Sequence, residues 1–94
     1  MTAPNPSPHE IRVALKRYIC EEILKDPQYP IGDDTRLITG GIIASFNITH
    51  ISVFMENEFN ALINDENLNP ENMDTISGMA LLVENALSSG ADSQ

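Results

Sequence analysis

Leu37-Ile38-Thr39-Gly40-Gly41-Ile42-Ile43-Ala44-Ser45-Phe46 is the stretch on which the reading of this chain turns. An aliphatic-Gly-aliphatic segment runs straight into a serine at the mouth of an apolar helical stretch. Taken as residues alone, Ser45 is an N-cap: its side-chain oxygen can accept one of the backbone N–H groups that a first helical turn leaves unpaired. Gly40-Gly41 supplies a turn. No Lys-Ser/Thr follows the glycines, so a phosphate-cradling P-loop is excluded.

Downstream of Ser45 a helix is expected, with Phe46, Thr49, Val53, Met55, Phe59 and Leu62 along one broad face and Ile48, Ile51 and Phe54 extending it. Asn60 to Asn69 is polar and broken. Asn69-Pro70-Glu71 then reads as a helix start, with Asn as cap and Pro in the first turn, good for a turn or two. Asp74 is expected to cap a last helix carrying Ile76, Met79, Ala80, Val83 and Leu87, and Gly90 to close it. Upstream, Ile11, Leu15, Ile19 and Ile23 repeat at i+4 from about His9, with Ala14 and Tyr18 on the adjacent row and Leu24 at the end. Pro27 and Pro30 cannot continue that helix. The connection from there to Ser45 is long for a compact domain, but its spaced aliphatics (Ile31, Leu37, Ile38, Ile42, Ile43) predict that it packs across the helices. The pattern is all-α: three main helices and a short one, a long first loop, no strand pattern and no repeat. Residues 1–8 and 89–94 read as flexible tails around a domain over 9–88.

At 94 residues the chain is long enough for one domain with its own core. Hydrophobic residues at 41% place it among globular sequences rather than disordered ones. No apolar run spans a bilayer, and the Pro-rich, polar start is neither a signal peptide nor an anchor, so a cytoplasmic protein without membrane contact is expected. The single cysteine, Cys20, has no internal disulfide partner and no His or Asp arranged around it. His9 and His50 lack neighbours at metal-ligand spacing, and His50 reads as a surface residue. Asp65 to Ile76 fails as a calcium loop, with Pro70 where Gly is required and Ile76 where Glu is required. Asn47-Ile48-Thr49 is a glycosylation acceptor in form only. No catalytic residue and no metal site is expected, and no enzyme activity.

With these sites excluded, the resemblance of the first stretch decides the reading. It is similar to the attachment motif of the acyl and peptidyl carrier proteins, Leu-x-x-x-Gly-(aliphatic)-(aliphatic)-Asp-Ser-(Leu/Met/Phe), matched by Leu37, Gly41, Ile42, Ile43, Ser45 and Phe46. Met55-Glu56-Asn57-Glu58-Phe59 resembles the family's Leu-Glu-Glu-Glu-Phe, and the segment from Ile63 to Ile76 resembles its passage through a short third helix into the fourth. The likeness covers Glu10 to Leu87. It implies a four-helix bundle of the acyl-carrier type. It also implies that Ser45 carries a covalent 4'-phosphopantetheine arm, attached by a phosphopantetheinyl transferase from coenzyme A. The arm's thiol would hold acyl or aminoacyl intermediates as thioesters. The chain departs from the motif at Ala44, where the family has an Asp that contacts the transferase and helps start the helix. An unmodified module of the same fold, which docks or regulates an enzyme, therefore stays open beside the carrier reading.

Charge narrows the partners. Five Lys and Arg stand against fourteen Asp and Glu, for a net charge of −9. All five cations (Arg12, Lys16, Arg17, Lys25, Arg36) lie in the first 36 positions, which carry −1, and the remainder carries −8 with no cation. Nucleic acid is repelled by such a surface, whereas basic patches on loading and condensing enzymes are attracted to it. Ala44, Phe46, Glu56, Glu58, Asp65 and Glu66 are the expected recognition residues, on a protein expected to be a monomer.

Overall fold

The computed structural model describes residues 6–92, with side chains described for 6–88. The described residues form helices and loops without a strand. The first helix, α1 (Pro8–Tyr18), starts one residue before His9 because Ser7 and Glu10 form a capping box. The Glu10 N–H donates to the Ser7 hydroxyl, and the Ser7 N–H donates to the Glu10 carboxylate at 2.8 Å. Ser7 and Pro8, expected in a tail, thus belong to the cap and first turn. Residues 1–5 of that tail lie outside the described residues.

From Ile19 to Ile23 the helix widens into a π-turn, and Leu24 donates to Ile19 O across it at 2.8 Å. Lys25 then adopts a left-handed backbone, and Pro27 forbids any continuation. The i+4 row Ile11, Leu15 and Ile19 is fully buried, as its spacing predicts.

Helix α2 (Asn47–Phe59) ends where Asn60 turns left-handed, a conformation its short polar side chain tolerates. Its buried face is Ile48, Ile51 and Met55. Phe46, Thr49, Val53 and Leu62, expected on one face with Met55, point to solvent instead. Ile48, Ile51 and Met55 share one arc of the helix, whereas Phe46, Thr49 and Val53 make a second row at the same spacing on the polar side, with His50, Glu56 and Asn57. A 3₁₀ turn, Asp65–Asn67, leads into the short α3 (Pro70–Met73). There the Asn69 amide oxygen accepts from the Asn72 N–H at 2.9 Å, the expected cap.

Helix α4 (Ile76–Asp92) packs on α1 and α3. Its cap is Thr75, whose hydroxyl accepts the Gly78 N–H at 3.0 Å, not Asp74 as expected. It also runs through Gly90 rather than stopping there. Residues 93–94 lie outside the described residues.

Ile11, Leu15, Ile51, Met55, Met73, Ile76, Met79 and Val83 meet in one core, all fully buried. Each such aliphatic side chain contributes about 1.5–3 kcal/mol relative to an exposed one. Leu37 and Ile43 of the long loop are buried in the same cluster. That loop is also strapped at its middle. Lys16 Nζ lies 2.8 Å from the Asp33 carboxylate, and the Ser77 N–H donates to Asp33 O at 3.0 Å. The Lys16 contact, aided by the charge of Arg12, holds the Asp33 carboxyl below its usual range.

Candidate functional site

Ser45 sits in a tight turn just before α2. The Asn47 N–H donates to Ala44 O at 2.9 Å and the Ile48 N–H to Ser45 O at 3.0 Å. Ser45 is exposed, and no described hydrogen bond engages its hydroxyl. The expectation that Ser45 caps the helix is therefore not met. The helix has no side-chain cap at its start, and Phe46 holds the formal cap position with helical backbone angles.

A different side chain ties the turn. Asn47 Oδ1 accepts the Ala44 N–H at 3.0 Å, which is one half of a capping box. The other half needs an acceptor at position 44, and alanine has none. The Asn47 N–H goes to the Ala44 carbonyl instead, the Ser45 and Phe46 N–H groups have no described partner, and the first turn of α2 holds no acidic residue. An anion bonded to Ser45 would meet open donors and the positive end of a helix. The residues present therefore fit a phosphodiester at this position.

The loop leading to Ser45 is built around Leu37. Its carbonyl accepts the N–H groups of Ile42 and Ile43, both at 2.9 Å. Gly40 packs against the Arg36 carbonyl so closely that a Cβ there would overlap it, and Gly41 has φ +80. The two glycines of the motif are thus required by a close approach and by a left-handed turn.

The stretch of loop from Leu37 to Thr39 hangs on Asp74, the one buried charged residue described, at 8% exposure. Its Oδ1 accepts the Ile38 N–H at 2.8 Å and the Thr39 N–H at 2.9 Å, its Oδ2 accepts the Thr39 hydroxyl at 2.7 Å, and its backbone oxygen accepts the Leu37 N–H at 2.7 Å. The Thr39 N–H lowers the Asp74 carboxyl below its ordinary range, helped by the Thr39 hydroxyl, Ile38 and Arg36 and opposed by desolvation.

No family profile, curated protein or solved structure matches this chain.

On the outer side of α2, Phe46, His50, Val53 and Asn57 follow one another at helical spacing and are all exposed. Phe46 is 70% and Val53 50% exposed. The Phe46 ring meets the His50 ring edge-on at 6.4 Å, and His50 Nδ1 lies 3.5 Å from the Asn47 amide. On the opposite flank Tyr18 stacks on Phe54 at 4.3 Å and donates to His50 O at 3.3 Å, fixing α2 against α1.

The expected recognition residues do not form one surface. Ala44, Ser45 and Phe46 are together in the turn. Glu56 is exposed about 16 Å further along the axis at roughly 1.5 Å per residue, on the side of Ser45 and Val53. Glu58 is exposed as well, but two residues along a helix is a rotation of about 200°, so it faces away from Glu56. Asp65 and Glu66 are exposed on the 3₁₀ turn beyond the far end of α2.

Cys20 is buried, its thiol donating to Tyr29 O at 3.5 Å, and burial together with Asp26 and Glu21 pushes its pKa up. That is the setting of an inert thiol. Among the described residues no group of His, Cys, Asp and Glu could hold a metal ion, and no helix is long and apolar enough to cross a membrane. Asp74 and Asn47 are the residues shaping the loop and turn around Ser45 whose part sequence reasoning missed. Asn47 at the third position of a half-formed capping box carried a signal; the distant partners of Asp74 carried none.

Proposed function

We propose that this chain is a carrier protein of the acyl and peptidyl type, holding biosynthetic intermediates as thioesters on a 4'-phosphopantetheine arm at Ser45. The observation that carries the reading is an exposed serine hydroxyl with no internal partner, held beside two open N–H groups at the head of a thirteen-residue helix. The motif resemblance from Leu37 to Phe46, and the four helices in the family's order, support the same reading. In attachment, the Ser45 oxygen attacks the diphosphate of coenzyme A. A phosphodiester forms, adenosine bisphosphate leaves, and the hydroxyl proton passes to a base of the transferase. The chain contributes the nucleophile and a fixed mount. The thiol chemistry and the reach belong to the arm.

Partners would be a phosphopantetheinyl transferase and loading or condensing enzymes with basic patches. They would meet the outer row of α2, where Phe46 and Val53 supply apolar contact and Glu56 supplies charge. Ala44 favours a second reading, an unmodified module that docks through the same row. Intact mass separates the two. After incubation with coenzyme A and a broad-specificity transferase, the carrier gains one phosphopantetheine and Ser45→Ala gains none. A chain that refuses the arm from several transferases, and is bare when isolated from its host, is the binding module.

A further inference from the structure

Asp74 stands at a plausible cap position but is buried and serves neither as the N-cap of α4 nor as a surface acid. It follows the last residue of α3 and precedes the Thr75 cap of α4, yet its carboxylate turns away from both helices. It faces the loop that ends in Ser45, and with its own backbone oxygen it receives the N–H groups of Leu37, Ile38 and Thr39 in succession. Three consecutive amides converging on one residue fix both the position and the orientation of that strip. The Thr39 hydroxyl on the second carboxylate oxygen removes the remaining rotation. From the strip the geometry propagates through short links. Leu37 O holds Ile42 and Ile43, Ile43 is buried, and Ala44 opens the turn that carries Ser45.

We propose that Asp74 is the positioning residue for Ser45, clamping the Leu37–Thr39 strip to the α3–α4 junction so that the serine is presented to its transferase in one fixed geometry. This rests on the carrier reading for the word transferase, but the clamp itself does not. Its consequence is that α3, which Asp74 follows directly, shares a fixed point with Ser45. Pressure on that four-residue helix moves the carboxylate and, through it, the serine.

The alternative is that Asp74 only stabilises the bundle. Three variants separate the two. Thr39→Val removes the hydroxyl bond and leaves both amide bonds. Asp74→Ala removes all the side-chain bonds. Val83→Ala opens a space in the core, where Val83 is fully buried and makes none of the hydrogen bonds that hold the loop. Each is assayed well below its own melting temperature. An ångström of misplacement costs on the order of a hundredfold in rate, so a loosened loop should cost Asp74→Ala about tenfold in kcat/KM for arm transfer, and Thr39→Val about threefold. The loss should fall on kcat more than on KM, and Val83→Ala should be modified like the parent. Hydrogen exchange gives a readout independent of function: the hydrogen-bonded amides of Ile42, Ile43 and Ala44 should exchange faster in Thr39→Val and Asp74→Ala, and not in Val83→Ala. If no variant or parent accepts an arm, exchange alone decides, and the carrier reading falls without the clamp. Loop exchange that rises equally in Val83→Ala, or does not rise in Asp74→Ala, overturns the proposal. So does arm transfer that stays at the parent rate in both loop variants.

Discussion

Replacing Ala44 by Asp tests how the head of α2 is built. At present the turn is closed from one side only, by Asn47 Oδ1 on the Ala44 N–H. A carboxylate at position 44 would be within one turn of the open Phe46 N–H and would give the turn a second side-chain tie. N-capping side chains are worth about 0.5–2 kcal/mol over alanine. A negative charge at a helix start adds about 0.3–1 kcal/mol at low salt. The Asn47 N–H is already taken by Ala44 O, so the cap gains one donor and not two, and the expected sum is about 1 kcal/mol. For a domain of this size that is a rise in Tm of roughly 4–8 °C. Ala44→Asn, which caps without charge, should recover the larger share and be insensitive to salt. The assay is a thermal melt followed by circular dichroism at two ionic strengths. Melting midpoints that stay put or fall in both variants would refute the half-box account of this turn. The same Ala44→Asp protein should take the arm faster. An exposed ion pair with the transferase is worth up to about 1 kcal/mol, or roughly fivefold in kcat/KM. A stabilised protein with an unchanged rate would show that position 44 matters to the helix alone.

Glu56→Gln should slow association with a basic partner enzyme and flatten its salt dependence, while Glu58→Gln does so far less, because the two face different sides of α2; stopped-flow rates at two salt concentrations, with equal slopes for both variants, would contradict the facing. Gly40→Ala should destabilise the protein by about 1–3 kcal/mol, since its Cβ would overlap the Arg36 carbonyl, and urea unfolding would read it. Acid should loosen the clamp. The native carboxyl of Asp74 titrates below the unfolded value of roughly 3.9, so its contribution is complete above that value and is lost as pH falls through the native one. Stability should therefore drop below about pH 4 in the parent, and Asp74→Asn, already lacking the ionised group, should show a shallower drop.

What the sequence displayed was whatever depended on neighbours along the chain. The i+4 row of α1, the Asn69-Pro70 start of α3 and the glycine pair of the loop each act through residues a few positions away, and each is found in place. The capping box at Ser7 and Glu10 was equally local, as a Ser-x-x-Glu spacing, and sets the start of α1. The rotation of α2 was misread because Phe46, Thr49 and Val53 form a row at helical spacing that competes with Ile48, Ile51 and Met55, the face that is buried. The true inner face is decided by what α1 and α4 offer. Asp74 sat at a plausible cap position, but Thr75 was a second candidate beside it, and the amides that outbid the helix for its carboxylate lie 35 and 36 residues away. A hydroxyl that is free rather than capping is likewise a property of the folded turn.

The segregation of charge also acts inward. Helices α2, α3 and α4 are packed together with acidic groups and not one Lys or Arg among them, while the cations gather on α1 and the first half of the loop. Three elements of the bundle therefore push on each other through solvent, and the folded form stores that self-repulsion. Dissolved ions relieve it. Raising ionic strength should tighten this protein while it slows its encounters with basic enzymes, so one salt series drives cohesion and recognition in opposite directions.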